Sequence, residues 1–512
     1  MPARPVICWP RMSLRVTRLF LAAASSAFLA AQTPPAFVME THAGIGPGPS
    51  PTPGGVTWNT ASGEYRIAGG GANVWGSEDA FQFAYRRISG DFTLTADVQF
   101  VGAGVNSHRK AMLMARQDLT PGSAYADIAL HGDGLTSLQY RATAGGPTQE
   151  QRSPLKGPVR IRLQRRGTQL TIQAGAPGEA LTTTGPQTLV LTDPIYVGLG
   201  VCSHDASVVE TAVFTNVRLE QPPKYRSKVT IFDLTTRNSR AIYEADGIVE
   251  APNWSRDGKW LLINSGGNLY RLPIDDPKPQ QISIGESYRA NNDHDLSRDG
   301  KWLAFSASSP SSRQSQVFLA AADGSGTKLL TPTAPSYFHG WSPDGKWLAF
   351  VGQRNGKYEL FRVAASGGEE QRLTSAGAYD DGPDYSPDGK WIYFNSDRKG
   401  GWNIWRIPAE GGGPNDSKAQ QITNDAHEDW FPHPSPNGKN IVFLSFPPGT
   451  EGHNGRMPGM TLRMIKAPGK KPTASPEIDT LVRFFGGQGS INVNSWAPDS
   501  KRFAYVVYEL VP

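Results

Sequence analysis

The sequence predicts an all-β protein, an N-terminal β-sandwich followed by a six-bladed β-propeller. Three observations carry this. A phrase built on Ser-Pro-Asp-Gly-Lys recurs six times along the chain, its first position falling at 255, 297, 342, 386, 435 and 497, spacings of 42, 45, 44, 49 and 62. The stretch before it alternates apolar and polar residues with period two, the mark of half-buried strands. The composition of the 512 residues, with 56 Gly, 41 Pro, 10% aromatic and 19% charged, is that of a turn-rich packed chain and not a disordered one. Two cysteines exclude a disulfide scaffold and a Cys-based zinc module.

Residues 1–31 carry Arg4, Arg11, Arg15 and Arg18 with no acid, then an apolar run from Leu19 to Ala31. Thirteen apolar residues fall short of the roughly 20 a spanning helix needs, so the segment is expected to be a cleaved secretory signal. Its loss removes four arginines and no acid, taking the formal charge from +5 to +1. The basic balance is thus an export feature. No nucleic-acid partner and no stable membrane insertion are expected, and the mature chain is placed in the periplasm or outside the cell. Residues 32–55 form a Pro/Gly-rich leader, including Gly44-Ile-Gly-Pro-Gly48, expected to be flexible.

From 56 to 222 the pattern is of strands. In Phe92–Phe100, Phe92, Leu94, Val98 and Phe100 share one face, while Thr93, Thr95, Asp97 and Gln99 point away. Val159, Ile161 and Leu163 repeat the pattern, and Arg166-Gly167-Thr168 turns into Leu170 and Ile172. Further strands are expected at 81–88, 110–116, 125–130, 138–143, 196–201 and 212–219. Many strands with one wet face each imply two packed sheets. Gly90-Asp-Phe-Thr-Leu94, Arg109–Arg116 and Tyr196–Val201 resemble a concanavalin A-like lectin/glucanase jelly roll. The resemblance implies a concave sheet face that holds sugars, to which Trp75, His108, Arg109, Arg116, His131, Asp133 and Tyr140 could contribute. The bland alternative is that these are ordinary outward or edge residues. No E-x-D-x-x-E strand is present, so the domain is not expected to be the glycosidase of that fold.

From 228 to 512 each phrase reads as a tight turn followed by a buried strand such as Trp347-Leu-Ala-Phe350. A third strand (359–363) and a polar edge strand (371–373) follow, and four strands per 40–50 residues make a propeller blade. The sixth copy supplies only two strands. The missing two are expected at 229–234 and 240–243, so that both ends of the region complete one blade and remove the open edges. Ser386-Pro-Asp-Gly-Lys-Trp-Ile-Tyr-Phe-Asn-Ser-Asp-Arg398 with Asn403-Ile-Trp-Arg406 resembles the WD40-like (PD40) repeat of the TolB-type propeller; Asn440 and Asp499-Ser500 depart from it. The resemblance implies a propeller that binds proteins or glycans, or one that gates a fused peptidase. With no G-x-S-x-G elbow and no hydrolase-sized region, gating is set aside.

Three positions before the Ser of each phrase stand Pro252, His294, His339, Pro383, Pro432 and Asn494, on strands expected to line the channel. His433 follows one of them, Glu250, Asp381 and Trp430 lie two earlier, and the long fifth-blade insert carries His453 and Arg456. Three uses stay open: a solvated channel, a ligand- or protein-binding rim, or a centre in which His294, His339 and His433 hold a divalent metal or act as acid and base. The leading expectation is an exported binding protein for glycans or envelope proteins. The alternatives are a metal-dependent polysaccharide lyase or hydrolase, and a non-catalytic periplasmic scaffold.

Overall fold

The computed structural model describes residues 42–47, 52–59, 61–157, 159–354, 356–470, 472 and 476–511. The expected signal segment lies outside them. The chain divides into two compact units between Pro222 and Pro223. Among the described residues there is no α-helix, only 3-10 turns at Pro414–Asp416 and Gln488–Ser490, and no helix is long and apolar enough to cross a membrane.

The first unit is built on two seven-stranded antiparallel sheets. One runs in the order His42–Ile45, Phe81–Ile88, Ile195–Cys202, Lys110–Arg116, Tyr125–His131, Leu135–Arg141, Thr148–Lys156. The other runs Thr182–Thr188, Gln169–Gly175, Val159–Arg166, Phe92–Phe100, Asp205–Glu220, Glu64–Gly71, Gly54–Asn59. One apolar cluster joins them, with Phe92, Leu94, Ile161 and Leu163 from the second sheet against Leu113, Ile128, Leu138 and Leu199 from the first. The leader differs from expectation. Gly44 and Ile45 pair with Gln82 and Phe81, because an edge strand gets its order from backbone hydrogen bonds that need no apolar period.

The second unit is a six-bladed β-propeller. Five blades are four-stranded sheets, each in chain order, with innermost strands Val249–Trp254, Arg289–Leu296, Ser336–Trp341, Asp380–Tyr385 and Glu428–Pro434. The sixth blade joins both ends of the region: Arg502–Val511 pairs antiparallel with Lys224–Asp233, which pairs with Asn238–Asp246. Its innermost strand is reduced to one bridge, Trp496 to Phe503. Strands after the turns are buried on both faces. Leu348 and Phe350 pack with Val317 and Trp341, whereas Ala349 and Val351 pack with Tyr385 and Phe394 of the next blade. Indole N–H groups also tie blades together, Trp341 donating to Asp295 O at 3.2 Å and Trp496 to His433 O at 2.9 Å.

The turn chemistry is as the residues suggest. Ser342 Oγ donates to Asp344 Oδ1 at 2.6 Å and accepts the Trp347 N–H at 2.9 Å, while Asp344 Oδ1 also accepts the Lys346 N–H at 3.1 Å. Gly345 closes the turn at φ 70°, a left-handed conformation that costs a side-chain-bearing residue about 1–2 kcal/mol. A Cβ there would meet nothing within 4 Å, so the cost is purely conformational. Gly345→Ala should therefore lower propeller stability by about 1–2 kcal/mol, read from urea unfolding by tryptophan fluorescence.

Candidate functional site

The innermost strands do not run straight. Pairing with the second strand slips between Glu250 and Asn253, Ala290 and His294, Phe338 and Gly340, Asp381 and Asp384, and Trp430 and His433. Three of these bulges hold a residue at positive φ, Ala251 at 52°, Gly382 at 61° and Phe431 at 54°. A bulge bends its strand and re-aims side chains, here at the same level in five blades.

At that level lies a pocket of about 270 Å³. Asn291, Asn292 and Asp293 of the second blade line it, with Tyr337, His339, Val351 and Tyr358 of the third, Tyr379 and Asp381 of the fourth, His453 and Asn454 of the fifth, and Gln488. The structure thus brings together three of the residues singled out from sequence, His339, Asp381 and His453. His339 Nε2 stands 3.3 Å from Asp381 Oδ1 and 4.0 Å from Asp293 Oδ1. Burial alone would lower the His339 pKa, but the Asp381 hydrogen bond and the fields of both carboxylates hold it above its ordinary value. Burial would raise Asp381, yet His339 outweighs it and keeps the carboxyl below the usual range. Burial pushes Asp293 up to about 6, against the opposing pull of His339. His453 is lowered by burial, so its ring is neutral. The result is a charged imidazolium–carboxylate pair with a second carboxyl that titrates near neutrality.

The other expected residues do different things. Trp430 is fully buried behind His453, their ring centroids 4.2 Å apart, and stacks on Trp402 at 3.9 Å. Glu250 and Arg456 form a partly buried ion pair, with the guanidinium 4.9 Å from the Tyr508 ring. His433 is spent on protein partners, Nδ1 at 3.3 Å from Asp384 Oδ2 and Nε2 at 2.9 Å from Ile491 O. Asn494 donates to the same Asp384 oxygen at 2.8 Å. His294 is fully buried, neither ring nitrogen has a hydrogen-bond partner, and burial lowers its pKa to about 3. His294, His339 and His433 therefore do not gather as a ligand set. Among the described residues no group of three or more His, Cys, Asp or Glu is placed to hold a metal ion. The reason is register: one step along a bulged strand separates the mouth from the packed channel wall.

In the first unit, Trp75, His108 and His131 share a second pocket of about 260 Å³ with Asn73, Lys110, Gln139, Glu150, Arg152 and His204. Lys110 Nζ donates to Asn73 Oδ1 at 2.9 Å and Val74 O at 2.6 Å, and Gln139 Nε2 lies 3.1 Å from His131 Nε2. Arg109 is elsewhere, buried in an ion pair with Glu210 at 2.6 Å. Tyr140 faces the core between the sheets and donates to Gln149 at 2.6 Å, because alternation turns Gln139 and not Tyr140 towards the pocket. Arg116 is buried against Asp79 at 3.4 Å, and Asp133 caps the Leu135 N–H at 3.0 Å.

The TolB β-propeller domain family (PD40) matches residues 333–482. The chain belongs to this TolB-type propeller family. An uncharacterized protein of Agrobacterium fabrum is 41% identical over 284 residues, 55% of this chain and 92% of that protein. A solved Agrobacterium tumefaciens structure provisionally named TolB is 40% identical with a TM-score of 0.52, covering 56% of this chain and 99% of its own. TolB from Acinetobacter baumannii shares 15% identity at a TM-score of 0.38, over 62% and 79% of the two chains.

Two consequences can be measured. Because His294 has a folded pKa near 3 against an ordinary 6.5, it contributes stability above pH 6.5 that is lost on acidification towards 3. Wild type should lose about 2 kcal/mol more than His294→Leu between pH 7 and pH 5 in denaturant titrations. Removing one partner of this partly buried ion pair leaves the Glu250 carboxylate without its cation, so Arg456→Ala should destabilise the propeller by about 1–3 kcal/mol. Pairing it with Glu250→Gln should recover part of that loss in the same assay.

Proposed function

We propose that this is an exported two-domain binding protein that recognises glycans or envelope proteins, with the pocket at the mouth of the propeller channel as its principal site. One observation carries the reading: a concave site walled by Tyr337, Tyr358 and Tyr379, whose hydroxyls make no hydrogen bond to the described residues. Aromatic walls with a few converging polar groups are the usual make-up of a ligand site, and unspent hydroxyls in such a place suit a hydrogen-bonding ligand. Membership of the TolB-type family agrees with a periplasmic binding or scaffold role. The first unit, read as a concanavalin A-like jelly roll, offers Trp75 (39% exposed) above Lys110 and His131 as a second sugar-stacking surface. Export rests on the signal segment at residues 1–31.

The test is a glycan-array and envelope-extract binding screen on the full chain without that segment, compared with Tyr379→Ala. A retained ligand whose affinity falls about tenfold or more in the variant supports the propeller site. Retention that Tyr379→Ala leaves untouched, or that Trp75→Ala abolishes, moves the site to the first unit.

A further inference from the structure

The charge of the channel-mouth pocket selects among ligands. Its lining contains no lysine or arginine, while Asp293 and Asp381 face only one cationic partner, His339. The two carboxyls are not equally occupied. Asp293 accepts from Asn492 on one oxygen, at 2.5 Å, and from Asn291 on the other, at 2.7 Å. Asp381 Oδ1 accepts the Gly382 N–H at 2.7 Å and faces His339. Asp381 Oδ2 has only the His453 ring near it, at 3.8 Å, beyond hydrogen-bonding reach. His453 is itself 92% buried, lines the pocket and makes no hydrogen bond with the described residues. An ionised oxygen left open in a mostly buried site strongly favours a cationic donor, because a charge-assisted hydrogen bond satisfies both the charge and the lone pair. The same feature repels anions.

We propose that this pocket seats one hexosamine residue with a free amino group, its ammonium donating to Asp381 Oδ2. This deepens the glycan reading of the pocket and rests on it. Around the ammonium, Tyr337 and the stacked pair of Tyr358 and Tyr379 (ring centroids 4.8 Å apart) supply the aromatic wall beside which the pyranose would sit. Asn454 and Gln488 bring carboxamides that both donate and accept, matching ring hydroxyls. At about 270 Å³ the site lies at the small end of ligand cavities, which suits one ring and not an oligosaccharide. The first-unit pocket differs in having Lys110 beside an Arg152–Glu150 ion pair among its lining.

The experiment is isothermal titration of the full chain at pH 7 with glucosamine, N-acetylglucosamine, glucose, glucuronic acid and 6-aminohexanoate. The expected order places glucosamine about tenfold or more ahead of glucose and N-acetylglucosamine, with glucuronic acid weakest. Asp381→Asn should erase the preference for glucosamine over glucose. N-acetylglucosamine or glucuronic acid binding as well as glucosamine overturns the amine seat while leaving a glycan site standing. Equal binding of 6-aminohexanoate overturns the sugar assignment. Binding of none of the five overturns this inference, and the screen on Tyr379→Ala then decides the wider reading separately. The wild-type ligand order needs no variant, so the inference stays open to refutation even if Asp381→Asn folds poorly.

Discussion

The propeller depends on one seam. Ten residues of Lys224–Asp233 pair with ten of Arg502–Val511, and among the described residues no other ladder joins the two ends of the ring. The seam works because both strands alternate. Phe232, Phe503 and Tyr505 pack towards the fifth blade with Trp430 and Phe446, whereas Val229, Ile231, Ala504 and Val506 pack towards the first with Trp254 and Leu261. Each side chain thus closes a different inter-blade core. Without this pairing, the first and fifth blades would each expose an apolar face, and the channel would lose its circumference. The sixth blade tolerates an innermost strand of a single bridge because its outer three strands carry the closure.

Once the ring is closed, the site follows from where the innermost strands bulge. A straight strand would send alternate residues into the inter-blade cores. The shared register slip instead frees Asp381 and His339 to face the axis and lets Asp293 join them. Phe431 holds an αL conformation unusual for an aromatic, and its ring stacks on His339 at 5.8 Å. Strain of that kind persists only where its surroundings impose it, and here it lies directly behind the imidazolium.

Much of the architecture was legible because each blade announces itself. Ser342, Asp344 and Gly345 do in space what their order suggests, and the split sixth blade follows from counting strands. Strands 81–88, 92–100 and 110–116 fall at the expected bounds, although Lys110–Arg116 is buried on both faces and does not alternate. The site was only half legible. Counting back from the turns found His339 and Asp381, and the insert pointed to His453. The same offset that picked out Glu250, Asp381 and Trp430 also falls on Asn292 and Tyr337, a signal that went unused. Tyr358 and Tyr379 carried none, since they reach the pocket from a third strand and from the approach to the fourth blade. His294 and His433 lie at the expected strand level, yet both rings pack inward. Position in a repeat identifies a strand level, but a bulge decides which neighbour faces water and which packs inward. Arg109 and Tyr140 fail for a related reason, as each sits one residue from a pocket-facing position.

The route of the chain out of the ring has a mechanical meaning. The last strand of the first unit ends at Glu220, and Gln221, Pro222 and Pro223 lead directly into Lys224, the first residue of the seam. Two consecutive prolines make that connection stiff and short. Along the chain, tension from the first unit therefore reaches the strand that closes the ring before the rest of the propeller. Tension that peeled Lys224 from Val511 would run along the ladder towards its other end at Asp233 and Arg502. The segment that leaves the first unit is thus also one side of the ladder that closes the ring.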